Sequence, residues 1–291
     1  MSTAATSAQA VDLEAKFERM KDILRSLRRV VVAFSAGLDS TFVLKVAIDT
    51  LGPGNVLAVT ADSDSLARAE FDEAVRLASQ LGASHRIIRT QEFANPDYLA
   101  NPVNRCYFCK TELYTRLRPL LEAEGYVAVV NGINADDLGD YRPGIQAARE
   151  NAVRAPCAEA GLTKADIRVL SKRLGIPIYD KPASPCLSSR IQYGEPITPG
   201  KLAMIERAEA YLHSLGIREC RVRHHNNLAR IEIPADQIER FMRPEMRARI
   251  DAEFRRIGYA YVTMDLRGFR SGSMNEVLTL GRDPKPSAPG Q

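Results

Sequence analysis

Apolar and polar positions alternate along the chain with two different periods, and the order of those periods predicts the architecture. Residues 11–27 place Leu13, Phe17, Met20, Ile23, Leu24 and Leu27 at helical spacing, which predicts a lead-in helix. The run Val30-Val31-Val32-Ala33-Phe34 is apolar at every position and predicts a buried strand. A small-residue turn follows, then a helical pattern that runs to the stop at Gly52-Pro53-Gly54. Residues 56–61 predict a second buried strand, residues 65–81 an amphipathic helix closed by Gly82, and residues 85–89 a third strand. Strands alternating with helices imply an α/β fold with a doubly wound parallel sheet.

Between residues 92 and 110 the alternation breaks at Asn95-Pro96, Asn101-Pro102 and Asn104. A helix is predicted over 111–124 and a fourth strand over 126–130, running into the polar loop 131–137 that contains Gly132, Asn134, Asp136 and Asp137. Ligands sit at the carboxyl ends of strands in open parallel sheets, so this loop is expected to face the turn after the first strand. Thr163 and Asp166 have the spacing of a capping box for a helix through residue 174. Two prolines and three serines make 181–190 a structured loop, with a domain boundary expected just after it, near Gly194.

The first domain is thus expected over 11–194. Residues 195–280 read as a smaller α+β domain: helix 199–215, strand 219–223, a turn at Asn226-Asn227, strand 229–233, helix 236–257 and strand 259–266. Residues 1–10, rich in Ser, Thr and Ala, and 281–291, rich in Pro, Gly and Ser, are expected to be disordered.

Composition narrows the function classes. With 291 residues and 45% apolar side chains the chain can fill two ordinary cores, and a formal charge of +4 is too mild for bulk nucleic-acid binding. No long uninterrupted apolar run and no export-like opening occur, which predicts a cytoplasmic protein without membrane attachment. Five cysteines, an odd number, argue for thiolate or metal chemistry over a disulfide framework.

The turn Ser35-Ala36-Gly37-Leu38-Asp39-Ser40 has the character of a phosphate seat: small residues bring backbone N–H groups close to an anion, and Ser40 is expected to cap the helix whose positive end faces it. No lysine stands at the turn as it does in a Gly-Lys-Ser/Thr loop. An ordinary strand-to-helix turn is the plain alternative. Cys106 and Cys109 form a Cys-x-x-Cys pair, a spacing that serves zinc, iron-sulfur clusters and redox disulfides alike. No second ligand pair completes a zinc ribbon. Cys186 follows Pro185, with Lys181 and Arg190 near enough in sequence to lower its thiol pKa, whereas Cys157 and Cys220 read as core residues. Arg221 and Arg223 alternate on one strand face, where two guanidinium forks can grip a phosphate or else form a solvated basic edge. Carboxylates for magnesium are offered by Asp39, Asp136, Asp137, Asp140, Glu206 and Glu209.

The turn at 35–40 resembles the Ser-Gly-Gly-x-Asp-Ser signature of the PP-loop ATP pyrophosphatases, with Ala36 in place of the middle glycine. Alanine keeps the N–H donor but gives up glycine's freedom at positive φ. Together with Asn-Arg-Cys-Tyr-Phe-Cys-Lys at 104–110, Asn-Ala-Asp-Asp at 134–137, Ala-Ser-Pro-Cys-Leu-Ser-Ser-Arg at 183–190 and Arg-Ser-Gly-Ser-Met-Asn-Glu at 270–276, the chain resembles the LarE family of ATP-dependent sulfur transferases. The resemblance implies a PP-loop fold and adenylation, with ATP and magnesium, of a carboxylate on pyridinium-3,5-biscarboxylic acid mononucleotide, in the synthesis of the nickel-pincer nucleotide cofactor. It places Ser35, Gly37, Asp39, Ser40 and Gly132 at the nucleotide and makes Cys186 the catalytic thiol. Cys106 and Cys109 imply the subgroup that holds a 4Fe-4S cluster on three cysteines, here with Cys186 as the third ligand, and Arg221 and Arg223 are expected to bind the substrate phosphate. A homo-oligomer, and sulfide or a cysteine desulfurase as sulfur source, are implied as well. The alternatives are a tRNA thiolase of the 2-thiocytidine synthetase kind and a non-catalytic iron-sulfur or nucleotide sensor.

Overall fold

The computed structural model describes residues 2–139, 142–270 and 272–278, so the tail at 281–291 and the candidate magnesium ligand Asp140 lie outside the described residues. The chain divides into two compact units between Cys186 and Leu187, where the sequence predicts a boundary near Gly194. No helix among the described residues is long and apolar enough to cross a membrane.

The first unit is built on four parallel strands, β1 (Val30–Ala33), β2 (Val56–Asp62), β3 (Ser84–Arg89) and β4 (Ala128–Val130), in the spatial order β3-β2-β1-β4. Its helices are α1 (Ser2–Leu27), α2 (Leu38–Leu51), α3 (Arg68–Gln80), α4 (Pro96–Leu99), α5 (Arg105–Glu124), α6 (Pro143–Glu150), α7 (Pro156–Ala160) and α8 (Lys164–Arg173). Successive strand residues point to opposite faces, and the valine run of β1 serves both. Val30 and Val32 pack with Phe17, Leu24, Phe42, Leu44 and Ile167 on one face. Val31 packs on the other with Leu57, Val59, Leu113, Leu117 and Ala147. Helices cover both faces of the sheet, as expected of a doubly wound fold.

Four local departures from the sequence reading have physical causes. Helix α1 begins at Ser2, through the stretch expected to be disordered, where Ala4, Ala5, Ala8 and Ala10 carry high helix propensity. Helix α5 begins at Arg105, not at Thr111, because Arg105 N–H bonds Pro102 O at 2.9 Å and Tyr107 N–H bonds Asn104 O at 2.8 Å, turning the chain directly into the helix. Before it, α4 uses the predicted breaker Asn95 as a cap: its Oδ1 accepts from Asp97 N–H at 2.9 Å, and Pro96 takes the first helical position. The fourth departure lies in the second unit. The capping box at α8 forms as predicted, with Thr163 Oγ1 accepting from Asp166 N–H at 3.1 Å and Asp166 Oδ2 accepting from Thr163 N–H at 3.0 Å.

The second unit carries β5 (Arg221–His225), β6 (Leu228–Glu232) and β7 (Tyr261–Met264), with α9 (Pro199–Ser214), α10 (Ile238–Phe241) and α11 (Pro244–Ile257). Strands β5 and β6 are antiparallel across a turn in which Asn226 takes φ 54°, and β6 and β7 are parallel. The single helix expected over 236–257 is divided ahead of Pro244, whose ring cannot continue a preceding helical turn. Leu212, Val222, Ile231, Phe254 and Tyr259 form its core.

At the turn after β1, Ala36 is fully buried with φ 55°, so alanine does adopt the left-handed conformation that the sequence reading reserved for glycine. That backbone costs an L-residue about 1–2 kcal/mol. Ala36→Gly removes this strain but loses a buried methyl, about 0.8 kcal/mol, and adds chain entropy of about 0.5–1 kcal/mol. The terms nearly cancel, so Ala36→Gly is expected to leave the urea midpoint almost unchanged. Ala36→Val, β-branched at positive φ and larger than its site, is expected to lower stability by about 2–3 kcal/mol in the same titration.

Candidate active site

The reversal of strand order beside β1, which has β2 on one side and β4 on the other, opens a crevice at the carboxyl edge of the sheet. Two backbone segments meet there. A Cβ built on Gly132, just after β4, would lie 2.7 Å from Ser40 N and 2.9 Å from Asp39 C, a separation only glycine permits. The first turn of α2 is thereby pressed against the loop after β4, and its N–H groups form the positive end of the helix.

Within the turn, Ser40 lies inside the helix rather than at its cap, which is Gly37. Its hydroxyl instead knits the turn together. Ser40 Oγ donates to Gly37 O at 3.1 Å, accepts from Ser35 N–H at 3.3 Å, and lies 3.1 Å from Ser35 Oγ. The capping role predicted for Ser40 is therefore corrected: the helix starts at Leu38, too early for a residue at position 40 to precede it.

Lys164, which the sequence reading missed, is the cation of this crevice. Its Nζ pairs with Asp39 Oδ2 at 2.5 Å, and its backbone N–H bonds Asp136 Oδ2 at 2.8 Å. The capping box signalled a helix start but not that the first helical residue would reach Asp39. Asp39 Oδ1 is buried and has no hydrogen-bond partner among the described residues. Asp137 pairs with Arg142 and accepts from Asn134 N–H at 3.0 Å.

Helices α2 and α5 cover opposite faces of the sheet, but both begin at its carboxyl edge, because each follows a strand and runs back antiparallel to it. The far end of α5 lies at the other edge, where Arg29 Nη1 donates to Glu124 O at 2.7 Å. Cys106 and Cys109 occupy the first turn of α5, three residues apart and on one face. None of the five cysteines is in a disulfide. Burial pushes the Cys109 thiol up to about 12, opposed by Lys110 and reinforced by Cys186, Glu92 and Cys106. Burial works against the Lys110 charge, yet Tyr114 and the thiols of Cys109, Cys106 and Cys186 outweigh it and hold the ammonium above its ordinary value. Three thiols thus lie within electrostatic reach of one lysine. Among the described residues no three His, Cys, Asp or Glu side chains converge closely enough for a single metal ion. Asn131, adjacent to Gly132, donates to Tyr114 Oη at 3.4 Å, so polar side chains run from the crevice toward Lys110.

Lys181, which the sequence placed near Cys186, has carboxylate partners of its own. Its Nζ is held by Glu70 at 2.7 Å and Glu73 at 2.5 Å on α3, fixing the loop that leads to Cys186. Cys157 is fully buried beside Met20, with its thiol pushed up by burial. Cys220, in the second unit, is buried and shifted the same way.

In the second unit Arg190 makes two 2.9 Å bonds to Glu209 and is almost wholly buried. Arg221 is buried over the Phe269 ring and donates to Cys220 O at 2.6 Å. Its own burial and the nearby Arg190 lower its pKa against the opposing pull of Glu209. Arg223 donates to Glu232 Oε2 at 2.8 Å, to Ser273 Oγ at 2.9 Å and to Ser189 O at 3.0 Å. These are buried ion pairs and not a solvated edge. Of the other magnesium candidates, Glu209 is committed to Arg190, and Glu206 belongs to the same unit.

An anion-binding turn at the crevice of a parallel sheet defines a PP-loop nucleotide-binding domain. Residues 16–119 match the family described as NAD synthase. The chain is 49% identical to an uncharacterised protein of Synechocystis sp. over 92% of this chain and 99% of that protein. It is 42% identical to the pyridinium-3,5-bisthiocarboxylic acid mononucleotide synthase of Lactiplantibacillus plantarum over 88% of this chain and 92% of that enzyme. An uncharacterised protein of Methanocaldococcus jannaschii is 28% identical over 84% of this chain and 92% of its own length. The chain belongs to the LarE family of ATP-using sulfurtransferases.

Two outcomes follow from this geometry. Gly132→Ala is expected to displace the first turn of α2 and raise the KM for ATP at least about tenfold in a pyrophosphate-release assay, with a stability loss of about 1–3 kcal/mol. Iodoacetamide at pH 8, applied to the metal-free protein, is expected to label exposed Cys106 first, because pKa values raised by burial leave Cys109, Cys157 and Cys220 as unreactive thiols. Peptide mass spectrometry over time reads the order.

Proposed function

We propose that the protein adenylates the carboxylates of pyridinium-3,5-biscarboxylic acid mononucleotide and replaces oxygen by sulfur, forming the thiocarboxylates of the nickel-pincer nucleotide cofactor. The observation that carries this reading is that Cys106, Cys109 and Cys186 all act electrostatically on Lys110, in the same unit as the phosphate turn. The product named for the Lactiplantibacillus plantarum relative supports the choice of substrate.

In this reading the N–H groups at the start of α2 receive the leaving pyrophosphate, and Lys164 offsets its charge. The unpartnered Asp39 Oδ1 fits a hard cation such as magnesium, which Asp39 would hold and which would offset phosphate charge. Adenylation exchanges a poor leaving oxide for AMP, and sulfur then displaces AMP at the activated carbonyl. The donor chemistry of three thiols, none of them in a disulfide, is that of a 4Fe-4S cluster. Cys106, Cys109 and Cys186 would hold that cluster, which when bound supplies a soft sulfide nucleophile. Lys110 would balance the accumulated thiolate charge. Arg221 would bind the substrate phosphate, with Arg223 two residues along the same strand and paired with Glu232. A cytoplasmic homo-oligomer drawing on sulfide or a cysteine desulfurase completes the proposal.

Anaerobic reconstitution followed by iron and sulfide analysis tests it. The parent protein is expected to take up about four irons, and Cys106→Ala to lose most of them. Iron uptake unchanged by Cys106→Ala would falsify the ligand set. Absence of pyrophosphate release with the pyridinium dicarboxylate would remove the substrate assignment.

A further inference from the structure

Glu92 is a carboxylate that the chemistry above leaves unused. It is only 3% exposed and opens the short turn Glu92–Ala94 that packs on α5. The turn is fastened there by its neighbour: Gln91 N–H donates to Glu112 Oε1 at 2.9 Å, and Arg116 Nη2 donates to Gln91 Oε1 at 2.7 Å. Glu112 lies three residues beyond Cys109, on the same face of the helix. The turn that Glu92 opens is thereby fastened one helical turn beyond Cys109, and the Glu92 charge is among the causes that raise the Cys109 thiol.

The two carboxylate oxygens differ. Oε1 accepts from Ser63 Oγ, whose oxygen in turn receives Ser65 N–H at 3.0 Å and lies 2.8 Å from Ser65 Oγ. With Ser63 donating to Glu92, the Ser65 hydroxyl donates to Ser63, and every proton in the chain points toward the carboxylate. Oε2 is buried and has no hydrogen-bond partner among the described residues. A buried acceptor in that state carries a desolvation cost that a donor bound beside it removes.

We propose that Glu92 Oε2 accepts a hydrogen bond from a protonated sulfur ligand, hydrogen sulfide or hydrosulfide, and so positions next to Cys109 the sulfur that the transferase consumes. This assignment rests on the sulfur-transfer reading of the thiol site. It concerns binding alone and requires no change of oxidation state at the carboxylate.

The test is an anaerobic sodium sulfide titration of the full-length reconstituted protein, with retained sulfide measured after gel filtration. Glu92→Gln keeps the side-chain volume and the acceptor for Ser63, and turns an N–H donor toward the ligand position. It is expected to leave iron content, thermal midpoint and pyrophosphate release unchanged while weakening sulfide binding about tenfold, as loss of one hydrogen bond to a charged group implies. Ser63→Ala, which releases the other oxygen, is expected to weaken it less, and carries the comparison should Glu92→Gln lose iron or fold poorly. Sulfide affinity equal to the parent's in the folded variants overturns the assignment, as it would if Oε2 merely held a water. A parent protein that binds iron but no additional sulfide overturns the cluster-held-sulfide reading, and this assignment with it.

Discussion

The closeness of Gly132 to the first turn of α2 is the constraint on which the nucleotide end of the first unit depends. A side chain at that position would overlap the backbone of Asp39 and Ser40, and the loop after β4 could not close on the helix. Because β4 sits on one flank of β1 and β2 on the other, the approach occurs where the strand order reverses. The backbone N–H groups of α2, the Lys164–Asp39 pair and the acidic loop at Asp136 are brought together by that one absence of a Cβ. Ala36 contributes from the other side, holding a left-handed conformation within a fully packed core.

A second constraint is charge. Thiols in a buried setting resist ionisation, as Cys109 does, and a site that needs several thiolates must supply a compensating cation. Lys110 stands next to Cys109 on α5, and Tyr114 and the thiols of Cys109, Cys106 and Cys186 hold its ammonium above the ordinary value against burial. Lys181, by contrast, is paired with two glutamates of α3, which fasten the loop before Cys186.

The sequence carried the sheet because β1 and β2 are apolar on both faces and their helices have strong stops. The capping box at Thr163 was legible because a three-residue spacing to Asp166 determines its two hydrogen bonds. Other features were hidden for physical reasons. Nothing local predicts that Lys164 will reach Asp39, since the pair is 125 residues apart and only the fold joins them. The start of α5 was obscured because Asn and Pro signal both loops and helix beginnings, and only the turn hydrogen bonds decide between the two. Alternation put Arg221 and Arg223 on one face correctly, but whether that face was wet or buried depended on Glu209 and Glu232, which no period reveals.

The valine run of β1 partitions the molecule in a way its uniform composition conceals. Val31 belongs to the layer that supports the thiol-bearing helix, and its neighbours Val30 and Val32 to the layer that supports the nucleotide-facing one. A repacking at one of these adjacent positions is therefore felt by a different chemistry from a repacking at the next. The strand is a thin partition wall, one residue thick, between the layer under α2 and the layer under α5.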